Sequence, residues 1–430
     1  MKKSLGFWRT WSLVVGTMIG SGVFLLPSVL APYGSYSLGG WIISALGSLF
    51  IALMLGSLAS KIPKIGGPYA YTYAAFGKLP GFLIGWGYWI SCWTGIAALA
   101  VAGSGYISVF IPAVNNVPVV GAISSIIIVW IFTAINVSGV RTAGIVQLTT
   151  TILKMLPLII IAFAGLAIGN LSNIHATNPN NESMPMLLAG VAVLTMWAYT
   201  GLESATIPAD DVINPSKTIP RALIIGTLTA TFIYILSTFG VMALIPQQQL
   251  AESSSPFADA AKTIFGEVGE YLIATGALIS IVGTLNSLIL LSGQMPLAAG
   301  LDNLFPKKFI KLNRSGAPGF GLIFSSILAT ILIMMNYSKG LVSAFTIMIL
   351  LSTLTVLIPY ALSAASEIIL CKRGGEKKNS KKIVIAVFAF IFSTFAIIGS
   401  GTEVILYGFI LLAIGLPVYY MMIRKEVDSF

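Results

Sequence analysis

The chain has 430 residues, of which 57% are hydrophobic and 9% charged, with a mean hydropathy of +0.93. A soluble globular domain does not carry that composition. The net charge of +10 would suit a nucleic-acid partner, but the placement of the basic residues, set out below, reads as membrane topology and excludes one.

Apolar runs too long and too many for core helices predict twelve membrane spans. They fall near 11–30, 38–60, 80–111, 118–138, 145–168, 186–208, 222–245, 268–298, 317–336, 341–370, 383–400 and 403–423. With both termini on the cytoplasmic side, about 21 of the 24 Lys and Arg fall on cytoplasmic segments, as in a chain following the positive-inside rule. Only Lys262 and Lys339 fall outside, and Lys154 lies within a span. The expected location is therefore the cell membrane, as a multi-pass chain with some affinity for anionic lipid heads. The start, Met1-Lys2-Lys3 and an apolar run, resembles a secretory signal. It lacks a small-residue cleavage site, and its removal would upset the alternation of charged loops.

The first span holds Gly16-Thr17-Met18-Ile19-Gly20-Ser21-Gly22-Val23-Phe24-Leu25-Leu26-Pro27. Two glycines around a serine allow the helix to open. Unwound backbone is tolerated at membrane depth only against protein or a water-filled cavity. The stretch thus predicts two half-helices separated by an unwound segment at Ile19, Gly20, Ser21 and Gly22, whose freed amides and carbonyls could hold a small zwitterion. Taken alone, it would equally serve close helix packing.

After the second span, Lys61-Ile62-Pro63-Lys64-Ile65-Gly66-Gly67-Pro68-Tyr69-Ala70-Tyr71 cannot continue a helix. It predicts a cytoplasmic re-entry ending in a short helix before Gly77. In the third span, Tyr88 belongs either to an interfacial aromatic belt or to a cavity wall. Cys92 and Cys371 read as packing residues with no disulfide between them.

The fifth span carries Lys154, about ten residues from its start, or roughly 15 Å at helical rise. An ionisable group at that depth marks a functional site, unless the ammonium snorkels to the surface. His175, the one histidine, lies in the polar loop 169–185 and reads as a solvated side chain.

The sixth span pairs a helix-opening Gly201 with Glu203 in Trp197-Ala198-Tyr199-Thr200-Gly201-Leu202-Glu203-Ser204. A carboxylate there indicates an ion or proton pathway, or a partnered structural network. The interrupted spans are thus the first and the sixth, the spacing that two five-span repeats give. Interrupted helices in corresponding positions of two inverted halves indicate the central site of a transporter.

On these residues the chain resembles the amino acid–polyamine–organocation (APC) superfamily, and within it the basic amino acid/polyamine antiporters, including arginine/agmatine exchangers. The similarity spans nearly the whole length. It rests on Gly20-Ser21-Gly22-Val23-Phe24-Leu25-Leu26-Pro27, Gly66-Gly67-Pro68-Tyr69-Ala70-Tyr71, Trp197-x-x-x-Gly201-Leu202-Glu203-Ser204, Asn214-Pro215 with Ile219-Pro220, Ser255-Pro256-Phe257-x-x-Ala260, and Ile358-Pro359-Tyr360.

The resemblance implies an all-α integral membrane protein of twelve transmembrane helices. They would form one domain with a leucine-transporter-like 5+5 inverted repeat, about 11–168 and 186–370, plus two C-terminal helices at about 383–423. It implies alternating access, with substrate held by Ile19, Gly20, Ser21 and Gly22 and by the backbone around Trp197, Ala198, Thr200 and Gly201. Trp197 would gate, with Tyr88 and Glu203 at the gates, and Ser352 would line the pocket. Leu288 stands where arginine exchangers carry a second tryptophan, and Ile96 where they carry an asparagine serving the guanidinium end. Both changes remove polar and cation-stacking partners and favour a more apolar substrate side chain. Lys154 resembles the fifth-span lysine of sodium-independent, proton-coupled permeases of the superfamily, where the ammonium takes the place of sodium.

The expected function is a sodium-independent secondary amino acid transporter, proton-coupled through Lys154 and Glu203 or exchanging. The alternative is obligate exchange of a cationic amino acid for its decarboxylated amine. A channel or sensor on a transporter fold is a further rival. An enzyme is disfavoured, since one histidine and no nucleophile–base arrangement leave no catalytic constellation. No cofactor or metal is expected. The partners expected are a small-molecule amino acid or amine, protons and membrane lipid, with no nucleic acid. A homodimer is implied by the exchanger group alone.

Overall fold

The computed structural model describes residues 5–62, 67–138, 145–206, 212–373 and 380–427. Within its helices, nothing is described of the side chains of Ser21, 145–150 and 423–427. The Ser21 hydroxyl, Lys2, Lys3, Lys64, Gly66, Arg141, Asp210, Asp211, Lys377, Lys378 and the charges of Arg424 and Lys425 therefore lie outside the described residues.

Among the described residues, twelve helical stretches are long and apolar enough to cross a membrane. The first is two helices, α1 (Phe7–Met18) and α2 (Ser21–Leu30). α3 (Tyr36–Lys61) leads to the short α4 (Pro68–Phe76), the expected helix before Gly77, and then to α5 (Lys78–Ile107). A single turn, α6 (Ala113–Asn116), precedes α7 (Pro118–Val137), and α8 (Ile145–Ile168) follows. The sixth stretch opens as α9 (Met184–Met196) and continues in two 3-10 turns, Trp197–Tyr199 and Leu202–Thr206. α10 (Pro215–Leu244), the short α11 (Gln247–Glu252), α12 (Pro256–Leu301), α13 (Gly319–Asn336), α14 (Leu341–Arg373), α15 (Ser380–Gly399) and α16 (Thr402–Val427) complete the bundle.

α12 departs from the expected span 268–298. Its 46 residues would reach about 70 Å if straight, more than twice a hydrocarbon core. It bends at Gly266, whose φ of 66° and ψ of −160° suit glycine, so the membrane-crossing part starts after the bend.

Lipid tails are as apolar as leucine, so these helices associate through close packing and interhelical hydrogen bonds, each worth about 0.6–2 kcal/mol. Both devices are present. Gly165 of α8 and Gly240 of α10 bring two backbones together with no room for a Cβ on either. Ser44 Oγ meets Thr195 Oγ1 at 2.8 Å, Trp89 Nε1 donates to Ser325 Oγ at 2.8 Å, and Asn136 Nδ2 donates to Asn286 Oδ1 at 2.7 Å. α10 packs along α3, α8 and α1, while α5 packs along α12 and α14. α15 joins these groups by touching α14, α3 and α9. α5 is buried along nearly its whole length and is the central post. The two interrupted stretches face it from the opposite group.

Candidate functional site

α1 ends at Met18 because Ile19 and Gly20 leave helical conformation, and α2 restarts at Ser21. The break is therefore two residues, shorter than the expected 19–22, and Ser21 and Gly22 are the first turn of α2. Gly20 has no alternative as a residue, since a Cβ there would overlap the Thr284 side chain of α12. The ends meeting here carry the freed carbonyls of α1 and the freed amides of α2, partial charges of opposite sign.

The second break lies at Thr200 and Gly201. Thr200 is extended, its hydroxyl donating to the Trp197 carbonyl at 2.7 Å, and Gly201 has a φ of 95°. Thr17 of α1 fastens the two breaks together. Its Oγ1 lies 3.0 Å from the Gly201 carbonyl and 2.9 Å from Ser204 Oγ, and Ser204 Oγ donates to Leu13 O at 3.2 Å. A second tie joins the same two segments at their far ends. Leu5, just before α1, forms an isolated parallel bridge with Val212, and Ile213 N donates to Leu5 O at 2.9 Å.

Glu203 is 2% exposed and fully engaged. Tyr88 OH donates to Oε1 at 2.8 Å, Tyr360 OH donates to Oε2, and the Gly201 amide donates to Oε2 at 3.2 Å. This gives a buried carboxylate the donors it needs. Lys154, 6% exposed, does not snorkel. Its ammonium donates to the Gly16 carbonyl at 3.2 Å, in the last turn of α1, and to Thr284 Oγ1 at 3.0 Å. The cation thus joins α8, α1 and α12 beside the first break.

Between the breaks lies a small cavity, of about 70 Å³. One wall is Thr17, Met18 and Gly22 of the first interrupted stretch, and Thr200, Gly201, Glu203 and Ser204 of the second. α5 contributes Tyr88, Ser91, Cys92 and Leu99, α12 contributes Thr284, Ser287, Leu288 and Leu291, and α14 contributes Ser352 and Val356. Trp197 crosses between Gly22 and Gly95. A Cβ on Gly22 would stand 2.9 Å from its Cδ1, and one on Gly95 would stand 3.1 Å from its Cη2. Its indole Nε1 is buried without a hydrogen-bond partner among the described residues.

The structure brings Gly22, Trp197, Thr200, Gly201, Leu288, Ser352, Tyr88 and Glu203 to the cavity wall. Ile19 and Gly20 form the break behind it, and Ala198 packs beneath Gly22. Ile96 is fully buried and is not among the residues of the cavity wall, while the adjoining Gly95 faces Trp197, Leu288 and Ser352. Tyr88 lines the cavity rather than an interfacial belt. Sequence reasoning missed Thr17, Thr284, Ser204 and the role of Tyr360. Of these, Tyr360 and Ser204 carried a signal, in Ile358-Pro359-Tyr360 and in Gly201-Leu202-Glu203-Ser204. Among the described residues no group of three or more His, Cys, Asp or Glu could hold a metal ion. Cys92 and Cys371 are not joined in a disulfide.

The amino acid permease family matches this chain over residues 5–423. Among its relatives, a putative arginine/ornithine antiporter of Bacillus subtilis is 30% identical over 98% of each chain. A cadaverine/lysine antiporter of Escherichia coli is 30% identical over 93% of this chain and 90% of its own. The putrescine transporter PotE of Haemophilus influenzae is 31% identical over 95% and 94%.

Proposed function

The chain belongs to the amino acid permease family, and on that premise we propose a sodium-independent amino acid transporter that works by alternating access around the two helix breaks. The observation that carries the reading is the cavity between those breaks, with the Lys154 ammonium fastened to a carbonyl of α1 beside the first. A zwitterion leaving water needs partners for both ends. The amide-bearing start of α2 suits its carboxylate, and the carbonyls freed at the breaks suit its amine. The Trp197 N–H, without a partner among the described residues, would be a further donor, and the position of that ring across the cavity supports a gating role. Lys154 supplies in the protein the positive charge that a bound sodium ion would otherwise provide. Glu203 and Lys154 are the groups whose protonation would couple to the movement, each held by its own set of partners.

The same cavity supports a substrate with an uncharged side chain. Glu203 is its one acidic group, and both carboxylate oxygens already accept hydrogen bonds. The remaining wall mixes the aliphatic Leu99, Leu288, Leu291 and Val356 with the hydroxyls of Ser91, Ser287 and Ser352, and offers a side-chain ammonium or guanidinium no second carboxylate to offset its charge. The names of the relatives support the second reading, exchange of a cationic amino acid for its amine. Both termini would be cytoplasmic, the orientation in which the basic residues cluster on that side.

Uptake of labelled amino acids into sodium-free proteoliposomes tests this. Vesicles are empty or preloaded with unlabelled amino acid, with or without an inward proton gradient. Accumulation of neutral amino acids in empty vesicles, driven by the gradient, is the expected result. Uptake only into preloaded vesicles, with lysine or arginine preferred, would replace it with the exchanger reading.

A further inference from the structure

Gly95 of α5 is where three residues of the cavity wall converge. A Cβ built there would stand 2.7 Å from Leu288 Cδ2, 3.1 Å from Trp197 Cη2 and 3.3 Å from Ser352 Oγ. Leu288 of α12 therefore occupies the place that any larger residue at this position would need, and it has no room to withdraw towards α5. The other end of the Trp197 ring lies against Gly22, in the first turn of α2. One indole thus reaches from the first break to α5, and the space it borders is short.

That space is also small. Its volume of about 70 Å³ corresponds to about five to seven water-sized atoms, at about 10–15 Å³ each. Glycine, alanine and serine fall within that size, and leucine, lysine and arginine exceed it. The walls are held as well. Ser91 Oγ donates to the Tyr88 carbonyl and Ser352 Oγ to the Ser91 carbonyl, both at 2.8 Å. Ser287 Oγ donates to the Gly283 carbonyl at 3.2 Å, and Glu203 fixes the Tyr88 and Tyr360 hydroxyls. Room for a longer side chain would have to come from Leu288, whose way back is closed by Gly95.

We propose that the site selects the smallest neutral amino acids, glycine, alanine and serine, and that Gly95 is the positioning residue behind that limit, since it seats Leu288 at the end of the cavity. The proposal rests on the transport reading above and narrows its substrate. A methyl group on Gly95 would drive Leu288 into the space, and a smaller residue in place of Leu288 would lengthen it. A substrate one methylene too long for such a pocket loses about 10–200-fold.

The test is uptake of labelled glycine, alanine, serine, valine and leucine, each alone and in competition with the others. Sodium-free proteoliposomes preloaded with unlabelled alanine and given an inward proton gradient serve a symporter and an exchanger alike. In wild type, glycine and serine should compete about as well as alanine, and leucine at least about tenfold less well. Leu288→Ala should improve leucine by about tenfold relative to alanine. Gly95→Ala should raise the KM for alanine by about tenfold and that for glycine less. Combining it with Leu288→Ala should restore alanine, a rescue that a merely structural role of Gly95 would not give. Should a variant fail to fold, the wild-type order decides. Leucine competing as well as alanine in wild type overturns this proposal and leaves the transport reading standing. So does an unchanged order in Leu288→Ala, or a double variant no better than Gly95→Ala. Absence of uptake of every amino acid in the panel overturns the transport reading together with this proposal.

Discussion

Gly22 has no room for a side chain, because Trp197 Cδ1 and the Ala198 Cα would lie 2.9 and 3.1 Å from its Cβ. Gly22→Val should therefore push the indole out of its seat and abolish uptake, while size-exclusion chromatography still shows a folded protein. Normal uptake would mean that Trp197 does not gate. Lys154→Met keeps the stem and removes the ammonium, leaving the Gly16 carbonyl without its lysine donor, at a cost of about 1–3 kcal/mol. It should lower the thermal midpoint and abolish gradient-driven uptake; a normal pH profile of uptake would reduce Lys154 to a structural cation. Gly20, Gly22, Gly201, Glu203 and Lys154 were legible as residues because each breaks the rules of a lipid-spanning helix. Thr17 and Thr284 were not. A threonine in an apolar helix is unremarkable until the bundle turns it towards a carbonyl or an ammonium.

At the scale of the element, the two breaks differ in how they are made. The first is opened by a close approach, Gly20 against Thr284, and the second by a backbone conformation, Gly201 at a φ of 95°. Gly201→Ala would put a Cβ residue into the left-handed region, at about 1–2 kcal/mol, and within 3.1 Å of Thr17 Cβ. It should lower the thermal midpoint and slow uptake without changing the order of substrates; a changed order would mean that Gly201 also shapes the binding wall. The twelve apolar stretches could be counted from the sequence because hydropathy reports length and depth. Gly266 could not be read as a bend. A lone glycine near the start of a long apolar run carries no sign of its φ. The shortness of the first break was hidden for a related reason, since Ser21 and Gly22 suit a helix start as well as a gap.

At the scale of the whole molecule, α5 packs mainly with α12 and α14, and α10 with α1, α3 and α8, two groups that Lys154 ties together through α12. None of this partition is written in any single stretch of sequence. It depends on which small residues meet across helices, as Gly165 and Gly240 do. Within the second group, α1 is fastened to residues after the Gly201 break twice: near the cavity through Thr17 and Ser204, and at the far end through Leu5 and Val212. On the reading proposed above, a movement of α1 would carry Ser204 and Val212 with it, so that the way past them would open or close in one step.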